Sequence, residues 1–162
     1  MTPCTRGQGL APVSGTNPEI LILGSYPSRL SLAKNEYYGN PRNQFWKIIE
    51  LCLGIDSHLP YRERISFLAE KRIALWDVIC SCSRTGSADS AIKRPVSNDI
   101  EGFIRSHPTV QHIVLNGTTA GRYFSKIQEI PVSVLPSTST ANARFSLTRK
   151  AELWAYALRG SQ

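Results

Sequence analysis

Four short apolar runs punctuate this chain, and the stretches between them carry apolar residues at helical spacing. Glu19–Leu23, Ile73–Val78, His112–Leu115 and Val132–Leu135 are brief and rich in branched side chains, which predicts strands. Asn43–Leu53, Tyr61–Glu70, Asn98–Arg105 and Thr118–Ile127 predict helices, and the amphipathic run Leu147–Leu158 predicts a last one. The strand runs are apolar almost without interruption rather than at every second position. That pattern belongs to a parallel sheet buried on both faces. Strand–helix alternation therefore predicts an α/β fold with helices on both sides of a parallel sheet. Repeats, low-complexity tracts and long linkers are missing from the sequence. A single domain is expected over residues 17–162, behind a flexible lead over residues 1–16.

In such sheets ligands bind beyond the carboxyl ends of the strands. Those ends read Gly24-Ser25-Tyr26-Pro27, Asp77-Val78-Ile79-Cys80, Asn116-Gly117-Thr118 and Pro136-Ser137-Thr138-Ser139, and all four converge on one rim. A fifth segment, Glu36-Tyr37-Tyr38-Gly39-Asn40-Pro41-Arg42-Asn43-Gln44-Phe45-Trp46, crowds two tyrosines, a tight turn, an arginine and a carboxamide ahead of a helix. Those side chains can stack a flat ring, grip a phosphate and place a water, which an enzyme acting on an extruded base requires.

Charge sharpens the picture. Nineteen Lys and Arg against twelve Asp and Glu leave a formal charge of +7 on 162 residues, which favours a polyanionic partner. No apolar run approaches the roughly 20 residues that span a bilayer, so no membrane association is expected. Residues Met1 to Thr16 have neither the charged start nor the apolar stretch of a signal peptide, so a cytoplasmic or nucleoid-associated monomer is expected. Cys80 and Cys82 are one residue apart, and Cys4 and Cys52 supply no second pair; neither zinc nor an iron–sulfur cluster is expected, and free thiols are. His58, His107 and His112 show no metal-binding spacing. The expectation is thus no metal and no cofactor.

The residues also carry a resemblance. Leu23–Ser28 (LGSYPS), the YYGNPRNQFW block with its following helix, and Leu135–Asn142 (LPSTSTAN) resemble the uracil-DNA glycosylase superfamily, in its hypoxanthine-DNA (deoxyinosine) glycosylase branch. Leu75-Trp76-Asp77-Val78 with Gly86–Ile92 (GSADSAI) is similar to the same branch. The blocks spread from about residue 20 to about residue 145, in the family's order. The resemblance implies a three-layer α/β/α sandwich around a four-stranded parallel sheet. It also implies cofactor-free hydrolysis of the bond between a damaged base and deoxyribose in base excision repair, on double- or single-stranded DNA.

Two departures shift the chemistry within that family. Tyr26 stands where many relatives carry an Asp or Asn, and Leu135 where several carry a histidine. The resemblance to the deoxyinosine branch implies that Asn43 takes over as the catalytic residue. An amide oxygen accepts from the attacking water without needing a particular protonation state. Asn43 equally suits a helix N-cap, and the two roles can coexist. Gly24, Ser25, Tyr26, Pro27, Tyr38, Phe45 and Asp77 are expected to form the base pocket, with Tyr38 as the stacking ring. Phe45 and Trp46 also read as core. Asp77 either contacts the base or holds a neighbouring loop. Ser28, Arg42, Ser137, Thr138, Ser139 and Asn142 are expected to hold DNA, the Ser/Thr loop through hydroxyls and backbone N–H groups. Arg42, Lys93, Arg94, Arg144, Arg149 and Lys150 read as solvated charges whose excess near the rim suits a phosphate backbone.

The expected activity is a monofunctional glycosylase that excises hypoxanthine. Two alternatives are a uracil- or mismatch-specific glycosylase and a non-enzymatic nucleotide- or nucleic-acid-binding α/β module. No GxGxxG or GxxxxGK[ST] loop supports the last.

Overall fold

The structure is a computed structural model, which describes residues 8–127 and 129–159. In chain order the elements are β1 (Ile20–Gly24), α1 (Arg29–Lys34), α2 (Phe45–Leu53), α3 (Tyr61–Glu70), β2 (Ile73–Asp77), β3 (Ile79–Ser83), β4 (Lys93–Ser97), α4 (Ile100–Ser106), β5 (His112–Asn116), α5 (Thr118–Tyr123), β6 (Val132–Leu135) and α6 (Leu147–Arg159). One turn of 3₁₀ helix, Asp89–Ala91, lies between β3 and β4.

β1 lies inside a four-stranded sheet ordered β2-β1-β5-β6, every neighbouring pair parallel. Successive side chains of a strand point to opposite faces. Ile20 and Ile22 join one core with Phe45, Trp46, Ile48 and Ile49 of α2, Leu68 of α3 and Trp154 of α6. Leu21 and Leu23 join the other, with Ile100 and Phe103 of α4 and Ala120 of α5. The uninterrupted apolar run of β1 thus reflects two cores, and the three-layer α/β/α sandwich around a parallel sheet stands as expected. Each of those β1 side chains is at most 1% exposed, and each such burial stabilises by about 1.5–3 kcal/mol. A one-residue slip would exchange the two faces.

The structure differs from the predicted elements in four places. First, part of the anticipated flexible lead is packed: Leu10 is in the core, and Val13 exchanges backbone hydrogen bonds with Leu75 on the outer side of β2 (both 2.9 Å). Residues 1–7 of that lead lie outside the described residues. Second, β3 and β4 form an antiparallel hairpin with two register shifts that no apolar pattern announces, since Lys93, Arg94 and Pro95 are exposed. Third, α1 forms between the first two blocks, capped by Ser28, whose Oγ accepts from Ser31 N–H at 3.1 Å. Fourth, α5 stops at Tyr123, because Phe124 turns extended and packs with Ile127 on the second core.

Candidate active site

The carboxyl ends of β1, β2, β5 and β6 open into a cleft of about 980 Å³. Gly24, Ser25, Tyr26, Pro27, Ser28, Tyr38, Asn43, Asp77, Ser137, Thr138, Ser139 and Asn142 all line it. Arg42 and Phe45 do not: Arg42 is exposed on the turn before α2, and Phe45 is fully buried. Phe45 is therefore removed from the expected base pocket. It supports the pocket from beneath, its ring stacked on Tyr38 at 4.0 Å between centroids and 17° between planes.

Asn43 sits where the turn enters α2. Its Oδ1 accepts from the Phe45 backbone N–H (2.9 Å) and from the Thr138 hydroxyl (2.8 Å). The first bond satisfies one of the orphan donors at the start of the helix, so the expected capping role is real. It also fixes which amide atom is oxygen, because a backbone N–H needs an acceptor. Both lone pairs of that oxygen are committed. The Nδ2 group has no hydrogen-bond partner among the described residues.

The loop after β6 is fastened from several sides. Gln44 N–H donates to Thr138 O (2.9 Å), Trp154 Nε1 to Pro136 O (3.0 Å) and Lys150 Nζ to Ser139 O (3.3 Å). Thr138 is 1% exposed, so the expectation that it contacts DNA is corrected: burial removes it from any phosphate. Its hydroxyl donates to Asn43 and accepts from Asn116 Nδ2 (3.0 Å), while its N–H donates to Asn116 Oδ1 (3.0 Å). The Ser137 and Ser139 hydroxyls accept from the backbone N–H groups of Ser139 and Ala141, shaping the turn. Lys150 is also corrected. It is 1% exposed rather than solvated, it donates to Gln44 Oε1 at 2.9 Å, and burial pushes its amine below the usual lysine range.

Asn116, at the end of β5, carries no role in the sequence reading, yet it centres this network. Its Nδ2 also donates to the Tyr38 hydroxyl (3.1 Å). The signal was its position: a polar side chain closing a buried apolar strand must find partners there. Tyr38 itself adopts a left-handed backbone (φ 56), which turns its ring back over Phe45.

Asp77 ends β2 on the cleft wall and is 4% exposed. Its Oδ2 is buried with no hydrogen-bond partner. A Cβ on Gly24 would lie 2.5 Å from Asp77 Oδ1 and 3.2 Å from the Tyr38 hydroxyl, so glycine is what lets these two groups close over β1. Burial, reinforced by the nearby Asp89 charge and only partly offset by Arg84, raises the carboxyl to a pKa of about 7. The Gly86–Ile92 block folds against the β1–α1 turn: Ser25 Oγ donates to Asp89 (2.8 Å), and Arg29 N–H to Ser87 Oγ (3.0 Å). Arg84 lies over the Tyr26 ring at 4.9 Å and donates to Pro27 O (2.6 Å). Cys52 and Cys82 are free thiols, whereas Cys80 is disulfide-bonded, against the expectation of free thiols throughout.

A sheet of this order with one polar cleft at its carboxyl rim defines a class. The model of the Uracil DNA glycosylase superfamily matches residues 12–158, and the chain belongs to that superfamily. Within it, the chain is 40% identical over 148 residues to a hypoxanthine DNA glycosylase of Methanosarcina acetivorans, covering 90% of this chain and 94% of the relative. A protein of the same name from Methanosarcina barkeri (strain Fusaro) is 35% identical over 157 residues, covering 95% and 99%. The fold is similar to a solution NMR structure from Methanosarcina acetivorans, proposed there to be a uracil DNA glycosylase, with TM-score 0.83, 40% identity and coverage of 94% and 96%.

Proposed function

We propose that the protein is a monofunctional DNA glycosylase that extrudes a deaminated base, hypoxanthine first among them, and hydrolyses its bond to deoxyribose. The observation that carries this reading is the cleft in which the immobilised Asn43 amide and the buried Asp77 carboxyl share one wall system at the carboxyl rim. The two relatives named for hypoxanthine excision support the choice of base. Tyr38 offers a ring braced by Phe45, suited to stacking a purine.

Cleavage passes through an oxocarbenium-like state, so placing a water and stabilising the leaving base account for most of the barrier. The expected use of the Asn43 oxygen as the water's acceptor conflicts with its two existing bonds. The arrangement that fits is Asn43 Nδ2 donating to one lone pair of the water, leaving the other for C1′. The charge of +7 favours the phosphate backbone, with Ser139, Asn142 and Arg144 on the cleft wall and Arg42 beside it. No lysine lines the cleft among the described residues, and Lys150, the nearest to the loop, has its amine bonded to Gln44 and Ser139; Schiff-base chemistry therefore has no nucleophile here.

Duplexes bearing hypoxanthine, uracil or xanthine, incubated with the protein and then treated with alkali, test the reading. Hypoxanthine should be released fastest, with strand breaks only after alkali and no covalent complex trapped by borohydride. Faster uracil release identifies the sibling activity; release of no base at all overturns the enzyme.

A further inference from the structure

Asp77 combines three properties that the hydrolysis described so far does not use. It is buried at the end of β2, it lines the cleft, and its Oδ2 meets no partner among the described residues. A buried polar atom is normally paired, so an unpaired carboxylate oxygen on a cleft wall points to something that arrives from outside. The other proton-bearing side chains of the wall are poor substitutes. Tyr26, Tyr37 and Tyr38 are all pushed further above the phenol range by burial. The other carboxyl on the wall, Asp89, accepts from Ser25 Oγ at 2.8 Å, and no histidine, cysteine, lysine or glutamate lines the cleft among the described residues.

A purine leaves deoxyribose poorly as an anion and well once a ring nitrogen is protonated. Resting on the reading of the protein as a hypoxanthine glycosylase, we propose that Asp77 is the general acid of the reaction, passing its carboxyl proton to the departing purine. The proton moves from Asp77 to N7 of hypoxanthine as the N9–C1′ bond breaks and its electron pair goes to the base. The base departs neutral. Water adds to C1′, its surplus proton passes to solvent, and the Asp77 carboxylate is reprotonated from solvent.

The surroundings are built to keep that proton in place near neutrality. Asp89 faces the carboxyl from the 3₁₀ turn and disfavours its ionisation, while Tyr26 from the β1–α1 turn and Tyr37 and Tyr38 from the turn before α2 are neutral phenols, their own ionisation disfavoured by burial and by the Asp77 charge. Arg84, beyond β3, is the opposing charge, and its guanidinium is committed to Pro27 O and the Tyr26 ring. The carboxyl pKa of about 7 is the value a general acid needs to be protonated and still willing to give the proton up.

Single-turnover excision measured between about pH 5.5 and about pH 9 tests this on the unmodified protein. Hypoxanthine release should fall as pH rises through about 7. Release of 1,7-dimethylhypoxanthine, whose nucleotide has no ring N–H to lose and so carries a fixed positive charge that needs no proton, should show no such alkaline fall. Asp77→Asn should lose ~10²-fold or more on hypoxanthine and less than ~3-fold on the dimethyl base. Equal losses on both bases, or an alkaline fall shared by both in the unmodified protein, overturn the proposal and leave Asp77 a binding residue. An unmodified protein that releases no hypoxanthine at any pH refutes the hypoxanthine reading itself, and the proposal with it.

Discussion

The Thr138 hydroxyl donates to Asn43 Oδ1 at 2.8 Å across 95 residues of sequence, and this single bond ties the loop after β6 to the entrance of α2. Both neighbours of the bond are fixed as well, Asn43 by the Phe45 N–H and Thr138 by Asn116. Thr138→Val keeps the shape but removes the donor and leaves Asn116 Nδ2 one acceptor short. It should cost about 1–3 kcal/mol in urea unfolding and slow excision, while Thr138→Ser restores both. Unaltered activity in the valine variant would show that the Asn43 amide needs no such tether.

Two substitutions at Asn43 separate its atoms. Asn43→Ala should lose at least ~10²-fold in single-turnover excision yet still bind DNA, with a stability loss near the ~1 kcal/mol of a missing cap. Asn43→Asp keeps an oxygen for Phe45 N–H and the Thr138 hydroxyl but replaces the Nδ2 donor. It should be nearly as slow as the alanine variant. An active aspartate variant would return the water to an oxygen acceptor.

Gly24→Ala places a methyl 2.5 Å from Asp77 Oδ1 and 3.2 Å from the Tyr38 hydroxyl. Something must shift, and overpacking of this kind typically costs about 1–3 kcal/mol. Displacing two cleft groups should also reduce excision by ~10-fold or more. A crystal structure of the variant with Asp77 and Tyr38 unmoved would contradict this.

Asp77 also makes stability depend on pH. A folded-state pKa of about 7, against a reference of 3.8, means the folded chain holds a proton that the unfolded chain has released. Stability is then greatest below the unfolded pKa and is lost as pH rises towards about 7. Asp77→Asn removes that loss, so the variant should gain about 2 kcal/mol relative to the parent between pH 5 and pH 7, at ~1.4 kcal/mol per unit. Denaturant midpoints at the two pH values measure it, and a constant difference would place the carboxyl in its ordinary range.

The sheet was legible because β1, β2 and β5 are buried almost throughout and must be apolar, while the edge strand β6, with Val134 exposed, showed itself by its branched residues. The rim followed from topology, which brings the ends of parallel strands together. What escaped was set by partners distant in sequence. Lys150 reads as a surface charge until Gln44, 106 residues earlier, is seen to receive it. Thr138 reads as an exposed loop hydroxyl until Asn116 is packed behind it. The β3–β4 hairpin pairs chiefly with itself and leaves most of β4 in solvent, so it has no hydrophobic period to detect. Phe45 was read both as pocket and as core, and its burial beneath the Tyr38 ring decides for the core.

The segment that lays Val13 against Leu75 covers the outer side of β2, a border of the four-stranded sheet. Uncovered strand borders recruit strands from other molecules. Trimming the chain to begin after Val13 would therefore do more than loosen a few contacts: it would leave an adhesive margin, and the shortened protein should self-associate at concentrations where the longer one stays dispersed.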